Sequence, residues 1–373
     1  MDALMLPSNW QRVRLGDVGK PCMCKRVMKH QTTRYGEIPF YKIGTFGNTA
    51  DAFISKKLFL EYKTKYSFPK KGDILISASG TIGRAVIYDG KPAYFQDSNI
   101  VWIDNDETLV KNDFLFYAYS NIKWNTEHTT ILRLYNDNFK NTLIPLPPLN
   151  EQAAIANILS DVDRYLYSLR ALILKKESVK KALSFELLSQ RKRLKGFNQN
   201  WQKVRLGDIA NYLTSNLSAE QITQQGKFKV YDVNNFIGYT DTTFISDKPY
   251  ISIVKDGSVG RVRILPPKTN ILSTMGALIA NHKTTTEFLF YLLSNFDFKN
   301  FTSGSIIPHI YFKDYKEKTI FLPPLNEQIA IANVLSGLDH EIISLKNKKR
   351  QFDNIKKALN HDLMSAKIRV LNK

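Results

Sequence analysis

The 373-residue sequence predicts an α+β protein in which two mixed α/β domains are separated by two long antiparallel helices, an intramolecular coiled coil in a pseudo-twofold tandem repeat. Three observations carry that prediction. Two motifs each occur twice, in the same order. Behind each copy of the second motif runs a long segment with apolar residues at helical spacing. The remaining segments share one skeleton of β-rich runs and glycine turns.

The repeat comes first, because it decides the architecture before any single element does. Asn9-Trp10-Gln11-Arg12-Val13-Arg14-Leu15-Gly16-Asp17-Val18 returns as Asn200-Trp201-Gln202-Lys203-Val204-Arg205-Leu206-Gly207-Asp208-Ile209. Leu146-Pro147-Pro148-Leu149-Asn150-Glu151-Gln152 returns as Leu322-Pro323-Pro324-Leu325-Asn326-Glu327-Gln328. The expected boundaries are 1–146 for a first domain and 147–196 for a first spacer helix. A second domain spans 197–322 and a second spacer helix 323–373.

In the first domain Ile38-Pro39-Phe40-Tyr41-Lys42-Ile43 reads as a strand. Gly72-Asp73-Ile74-Leu75-Ile76-Ser77-Ala78-Ser79 is a β-rich run leading into the turn Gly80-Thr81-Ile82-Gly83-Arg84. A short helical pattern runs from Asp113 to Asn121. The second domain keeps the order with other side chains. Phe228-Lys229-Val230-Tyr231-Asp232-Val233 is its strand, and Pro249 to Asp256 its β-rich run into Gly257-Ser258-Val259-Gly260-Arg261. Its helical pattern spans Thr286 to Asn295.

The spacer segments read as helices. No Gly or Pro falls between Leu149 and Lys195, and Pro147-Pro148 and Gly196 punctuate the ends. Asn150 is the expected cap, with Glu151 facing the positive helix end. Ile155, Leu159, Val162, Leu166, Leu169 and Ile173 form an apolar stripe, which Lys176 and Lys180 interrupt before Val179, Leu183 and Leu187. In the second copy Asn326 caps, and the stripe is Ile331, Leu335, Leu338, Ile342 and Leu345, then Phe352, Ile355, Leu359 and Leu363. Two matched seams in one chain most simply bury each other. At about 1.5 Å per residue each helix of roughly 45 residues reaches about 65 Å. The first helix must deliver the chain to the second domain and the second must run back, so the pair is antiparallel.

The charge names a class of partner. Lys and Arg number 53 against 34 Asp and Glu, a formal net charge of +19. The excess is spread over every segment: 20 basic against 14 acidic residues in 1–146, 10 against 5 in 147–200, 14 against 10 in 201–322, and 9 against 5 in 323–373. A basic arm would concentrate it. Nucleic acid is the default partner of such a chain. In the glycine turns the backbone can approach a phosphate or base edge, with Thr81, Arg84, Ser258 and Arg261 as contacts. A hairpin turn with a solvated arginine is the alternative. Base reading calls for amide, guanidinium or hydroxyl groups. Gln96-Asp97-Ser98-Asn99 in the first domain and Asn234-Asn235 in the second are the candidates, with Lys42, Thr45 and Ser79 as further expected DNA contacts.

Other classes fit poorly. The sequence has neither a Gly-x-x-x-x-Gly-Lys-Ser/Thr phosphate loop nor a Gly-x-Gly-x-x-Gly fingerprint. Leu146 and Leu322 precede the paired prolines where an adenine methyltransferase site needs an amide or carboxylate. Cys22 and Cys24 with His30 fall short of the four ligands of a structural zinc site. Two cysteines cannot build a disulfide framework, and a reducing, cytoplasmic setting is expected. The opening residues show no charged n-region followed by an apolar h-region, so no secretory signal is expected. The longest charge-free apolar stretch, Ile271 to Ala280, is well short of the roughly 18 residues of a membrane span. A free-standing DNA-modifying enzyme and a basic coiled-coil scaffold are the competing readings.

The duplicated Trp-x-x-Val-x-Leu-Gly-Asp opening, the Gly-Thr-Ile-Gly turn and the Leu-Pro-Pro-Leu-Asn-Glu-Gln junction resemble the specificity subunit of type I restriction–modification systems, across essentially the whole chain. Gly257-Ser258-Val259-Gly260 departs from the Gly-Thr-Ile-Gly form but keeps its chemistry. The resemblance implies two target-recognition domains, each reading half of an asymmetric bipartite site on double-stranded DNA. It implies helices that set the spacing and dock two methyltransferase subunits, which hold S-adenosylmethionine. Restriction and translocase subunits, with ATP and Mg, complete the complex, and this chain itself is non-catalytic and holds no cofactor. Asn150, Glu151, Gln152 and Ile155, with Asn326, Glu327, Gln328 and Ile331, are the expected partner contacts.

Overall fold

The computed structural model describes residues 6–128, 132–304 and 306–370. They form two compact units. One combines the described residues up to Leu169 with those from Lys348 onward, and the other is Arg170–Asn347.

In the first unit the strand Gln11–Arg14 pairs antiparallel with Leu143–Leu146, so the globular segment is sewn shut where it meets the Pro147-Pro148 junction. Between them lies a four-stranded antiparallel sheet in the order Gly19–Met23, Ile100–Asn105, Ile74–Ser77, Ala85–Ile87. A three-stranded sheet follows the order Ala52–Ile54, Ile38–Tyr41, Tyr94–Phe95, with the last pair parallel. Ile74–Ser77 is buried at every residue. Its alternation explains why. Ile74 and Ile76 join the core around Phe114 and Leu115 of the helix Asn112–Tyr119, while Leu75 joins an aromatic core with Phe40, Tyr94 and Trp102. Successive side chains point to opposite faces of a strand, and here both faces are covered.

The second unit repeats this order. Gln202–Arg205 pairs with Thr319–Leu322. The four-stranded sheet runs Ala210–Thr214, Met275–Ala280, Tyr250–Val254, Val262–Leu265. The three-stranded one runs Phe236–Thr240, Phe228–Tyr231, Thr269–Ile271, again with its last pair parallel. Ile251 and Ile253 pack with Phe288 and Leu289 of the helix Thr286–Ser294, and Tyr250 and Val254 pack on the opposite core.

Each long helix has 40 residues, Leu149–Leu188 and Leu325–Met364. They run antiparallel within each unit. In the first, Ile155 and Leu159 share a core with Leu363 and Met364, and the rings of Tyr165 and Phe352 lie 4.6 Å apart. In the second, Leu187 shares a core with Ile331 and Leu335, and Lys176 meets Glu341 at 2.8 Å.

Three local expectations are corrected. The helices stop short of Lys195: Gln190 and Ala366 take left-handed backbone angles (φ 62° and 57°) that turn the chain away. Freedom from Gly and Pro permits a helix but does not hold one, and Ser189 to Lys195 offers little apolar surface to bury. Asn150 and Asn326 sit inside the first turn rather than before it. The carbonyls of Pro148 and Pro324 accept the first helical N–H bonds, and each asparagine side chain accepts only from the next residue's N–H. Val179 and Ile355 are exposed, because the seam passes instead through Lys180 and Ser184, and through Lys356 and Asn360.

Candidate nucleic-acid interface

Both glycine turns close hairpins. Ser77 N–H donates to the carbonyl of Arg84 at 3.0 Å and Gly83 N–H to that of Ser77 at 2.9 Å. Val254 and Arg261 make the equivalent pair at 2.9 Å, as do Gly260 and Val254. Gly80, Gly83, Gly257 and Gly260 all have positive φ, between 65° and 82°. A Cβ at Gly83 would also strike the Trp124 ring. These constraints present Thr81 and Arg84, and Ser258 and Arg261, to solvent.

The first unit gathers four of the expected readers. Lys42, Gln96, Ser98 and Asn99 line one groove of about 580 Å³, joined by Arg26, Lys29 and Arg133. Asn99 Oδ1 accepts from Ser79 Oγ at 2.7 Å and from Arg133 Nη2 at 3.2 Å, so Ser79 is buried beneath the groove. Gln96 Oε1 accepts from Ile43 N–H at 3.0 Å, and Lys42 pairs with Asp51 at 2.8 Å. Thr45 is occupied in its own turn with the backbone of Lys42. Thr81 and Arg84 stand outside the groove lining, with the Arg84 guanidinium against Gly47.

The second unit joins Arg261 to Asn234, Nη1 to Oδ1 at 3.1 Å, and Arg263 Nη1 donates to the Asn234 carbonyl at 2.8 Å. Asn235 N–H is held by Asp232 Oδ1 at 2.7 Å. Sequence reasoning missed Arg26, Lys29, Arg133, Arg263 and the pair His309–Asp256, whose Nδ1 and Oδ1 are 2.7 Å apart. A signal existed for two of them. Arg133-Leu134-Tyr135 and His309-Ile310-Tyr311 occupy like positions ahead of the second motif in each copy.

The junction residues turn inward. Glu151 accepts from Trp10 Nε1 at 3.0 Å and Glu327 from Trp201 Nε1 at 3.0 Å. Gln152 Nε2 donates to the carbonyls of Pro147 and Leu109 while its Oε1 accepts from Lys111 N–H. Gln328 does the same with Pro323, Lys283 and Thr285. Ile155 and Ile331 are core residues. Of the eight expected partner contacts, only Asn150 and Asn326 are exposed.

The helices' charge is partly neutralised within each unit. Asp163 accepts from Tyr117 Oη at 2.9 Å and pairs with Lys356 at 2.6 Å. Asp339 accepts from Tyr291 Oη at 2.9 Å and pairs with Lys180 at 2.5 Å. Burial first, and then the carboxylate beside each hydroxyl, raises both tyrosine pKa values. Lys346 pairs with Glu177 in the same way, at 2.6 Å.

Comparison with known proteins follows the same duplication. The family model described as the type I restriction modification DNA specificity domain matches residues 7–177 and again 198–352. A Haemophilus influenzae chain provisionally named a type I restriction enzyme specificity subunit is 65% identical over 148 residues, which span 39% of this chain and 38% of that one. The type I restriction enzyme MjaVIII specificity subunit of Methanocaldococcus jannaschii is 26% identical over 100% of this chain and 96% of its own length. A crystal structure of the type I restriction–modification S subunit from M. genitalium superposes with a TM-score of 0.64 at 20% identity, covering 98% of this chain and 99% of that one. That likeness is one of fold.

Proposed function

Because the chain belongs to the type I restriction–modification DNA specificity family, we propose that each of its two domains reads one half of an asymmetric bipartite site on double-stranded DNA. The protein is the specificity component of such a system and not its catalyst. Its domains are taken as 1–146 and 197–322, with spacer helices in 147–196 and 323–373. The helices set the gap between the half-sites and dock two methyltransferase subunits. S-adenosylmethionine belongs to those partners, and ATP and Mg to restriction and translocase subunits that join them. Among the described residues no helix is long and apolar enough to cross a membrane, and the complex works on DNA in the cytoplasm.

One observation supports this reading above the others. The two units share their sheet order and their glycine hairpins, yet offer different polar groups on that frame. Lys42, Gln96, Ser98 and Asn99 line the first unit's groove, while Asn234 and Arg261 meet beside the second hairpin. Like frames with unlike hydrogen-bonding groups select unlike bases, so the two half-sites differ. Arg84, Arg261, Lys42, Thr45, Thr81 and Ser258 contact phosphates. Gln96, Ser98, Asn99, Asn234 and Asn235 face base edges, with Ser79 holding Asn99. Asn150 and Asn326 lie at the partner-docking surface, joined there by exposed apolar helix residues rather than by the buried Glu and Gln of the junction.

The test is reconstitution with the cognate methyltransferase subunit, followed by sequencing of the modified positions in a random DNA library. A gapped motif with unlike halves is expected. Exchange of residues 1–146 for another such domain should change one half only. Changes in both halves, or no sequence preference at all, overturn the reading.

A further inference from the structure

The glycine hairpin of each unit carries a second, shorter hairpin strand on its base. In the second unit Asp256, just before Gly257, bridges antiparallel to His309. Gly257 N–H donates to the Pro308 carbonyl and Ile310 N–H to that of Lys255, both at 2.9 Å. In the first unit Ser79, just before Gly80, bridges antiparallel to Arg133, and Leu134 N–H donates to the Ala78 carbonyl at 2.9 Å. The antiparallel bridge recurs, and the side chains on it differ, Ser79 and Arg133 in the first unit against Asp256 and His309 in the second. Arg133 and His309 stand at the same place.

Each of these side chains is steadied from behind and keeps hydrogen-bonding capacity in front. Arg133 gives Nη2 to Asn99 Oδ1, which Ser79 Oγ also engages, and its other guanidinium N–H groups have no partner among the described residues. His309 Nδ1 lies 2.7 Å from Asp256 Oδ1, a carboxylate oxygen that can only accept and so calls for the proton on Nδ1, and the ring lies against that of Tyr311. In the neutral imidazole with its proton on Nδ1, Nε2 is left as an acceptor, and no described residue donates to it. The His309 side chain is 36% exposed.

We propose that Arg133 and His309 are matched base-reading positions, one in each unit, and that they set the base accepted at one position of each half-site. The proposal rests on the two-half reading above and deepens it. A guanidinium fork fits the O6 and N7 acceptors of guanine. A lone imidazole acceptor fits an exocyclic amino group, that of adenine or cytosine. Asp256 is a positioning residue that fixes the tautomer, and Asn99, besides its own place at the base edges, steadies the fork through Oδ1.

The experiment compares wild type, Arg133→Ala, His309→Ala, His309→Gln and Asp256→Asn, each assembled with the cognate methyltransferase subunit on a randomised duplex library. Thermal unfolding is recorded in parallel. Arg133→Ala is expected to lose roughly tenfold or more discrimination at one position of one half-site and to leave the other half unchanged. His309→Ala should do the same in the other half, and Asp256→Asn should relax that same position without lowering the melting temperature of the second unit. His309→Gln, smaller in its disturbance of the fold, should relax or alter the same position. Retention of both wild-type half-motifs by the His309 and Arg133 variants, with binding weakened evenly over all sequences, marks phosphate contacts and overturns the proposal. A wild-type complex with no two-part motif overturns the underlying reading instead, and the proposal with it.

Discussion

Arg369 donates from Nε and Nη2 to the two carboxylate oxygens of Glu151, 2.8 and 3.1 Å away and 218 residues earlier in the chain. Arg193 holds Glu327 in the same fork. The remaining donor is in each case the tryptophan of the opening motif. Each carboxylate is therefore almost wholly buried, at 2% and 0% exposure, and still fully engaged by charge-assisted bonds. The two duplicated motifs specify one another: Trp10 needs Glu151 and Trp201 needs Glu327. The arginines that complete these sites lie outside both motifs, beyond the left-handed residues that end the long helices.

Arg369→Ala leaves Glu151 charged and buried with a single indole donor. Loss of one partner from a buried pair is strongly destabilising, and some solvent access at the arginine reduces the effect to about 2–3 kcal/mol. The melting transition of the first unit should fall while that of the second stays in place. Arg193→Ala should reverse the pattern. Calorimetry of the two variants checks both, and a wild-type profile for Arg369→Ala contradicts the assignment.

Tyr119 is 1% exposed and its hydroxyl has no hydrogen-bond partner among the described residues. Tyr119→Phe removes that orphan group and keeps the ring against Trp124, so a gain of about 1 kcal/mol is expected. The pH dependence follows from burial, which raises the Tyr119 pKa and pushes those of Tyr88 and Tyr250 up to about 12. An unfolded tyrosine titrates near 10, so above that pH the unfolded chain releases protons that the native state keeps. Stability is full below about pH 10 and is lost as pH rises beyond it. Urea midpoints should drop between pH 10 and 11.5 in wild type and drop less in Tyr119→Phe. Parallel declines would count against the buried hydroxyl.

Gly83 and Gly257 separate two reasons for a glycine. Both have a φ of 82°, but an added Cβ at Gly83 meets the Trp124 ring whereas at Gly257 it meets nothing within 4 Å. Gly257→Ala should cost about 1–2 kcal/mol through backbone strain alone. Gly83→Ala adds overpacking and should cost roughly 2–4 kcal/mol. Equal losses in denaturant titrations would mean that Trp124 yields freely.

Much of this was legible in the sequence, and the parts that were not share a cause. The duplicated motifs and the β-rich runs with their glycine turns read correctly from spacing, whereas the caps expected at Asn150 and Asn326 lie one residue inside helices that begin at Leu149 and Leu325. Glu151 and Gln152 look like surface residues because polarity alone does not reveal that Trp10, Arg369 and the Lys111 backbone are waiting for them. Val179 and Ile355 look like seam residues because the spacing continues, yet each facing position is taken by a lysine paired across the helices, Lys180 to Asp339 and Lys356 to Asp163. Arg133 and His309 are single residues on two-residue strands, too short for any periodicity.

Tyr167 in the first unit and Ile343 in the second occupy matched positions on the two long helices, and both are exposed, at 77% and 54%. Leu149 and Leu325 are a second exposed pair at the helix starts. Apolar groups repeated at matched places suit a surface that binds two copies of one partner, whereas scattered single exposures need no explanation. Tyr167→Glu is expected to remove one methyltransferase subunit from the assembled complex and Ile343→Glu the other, with both lost in the double variant. A charge placed in an apolar interface core costs several kcal/mol of affinity, enough to change stoichiometry at micromolar concentration. Native mass spectrometry counts the copies, and unchanged melting profiles show that the helices themselves are intact. Two bound copies in the double variant would remove these positions from the docking surface.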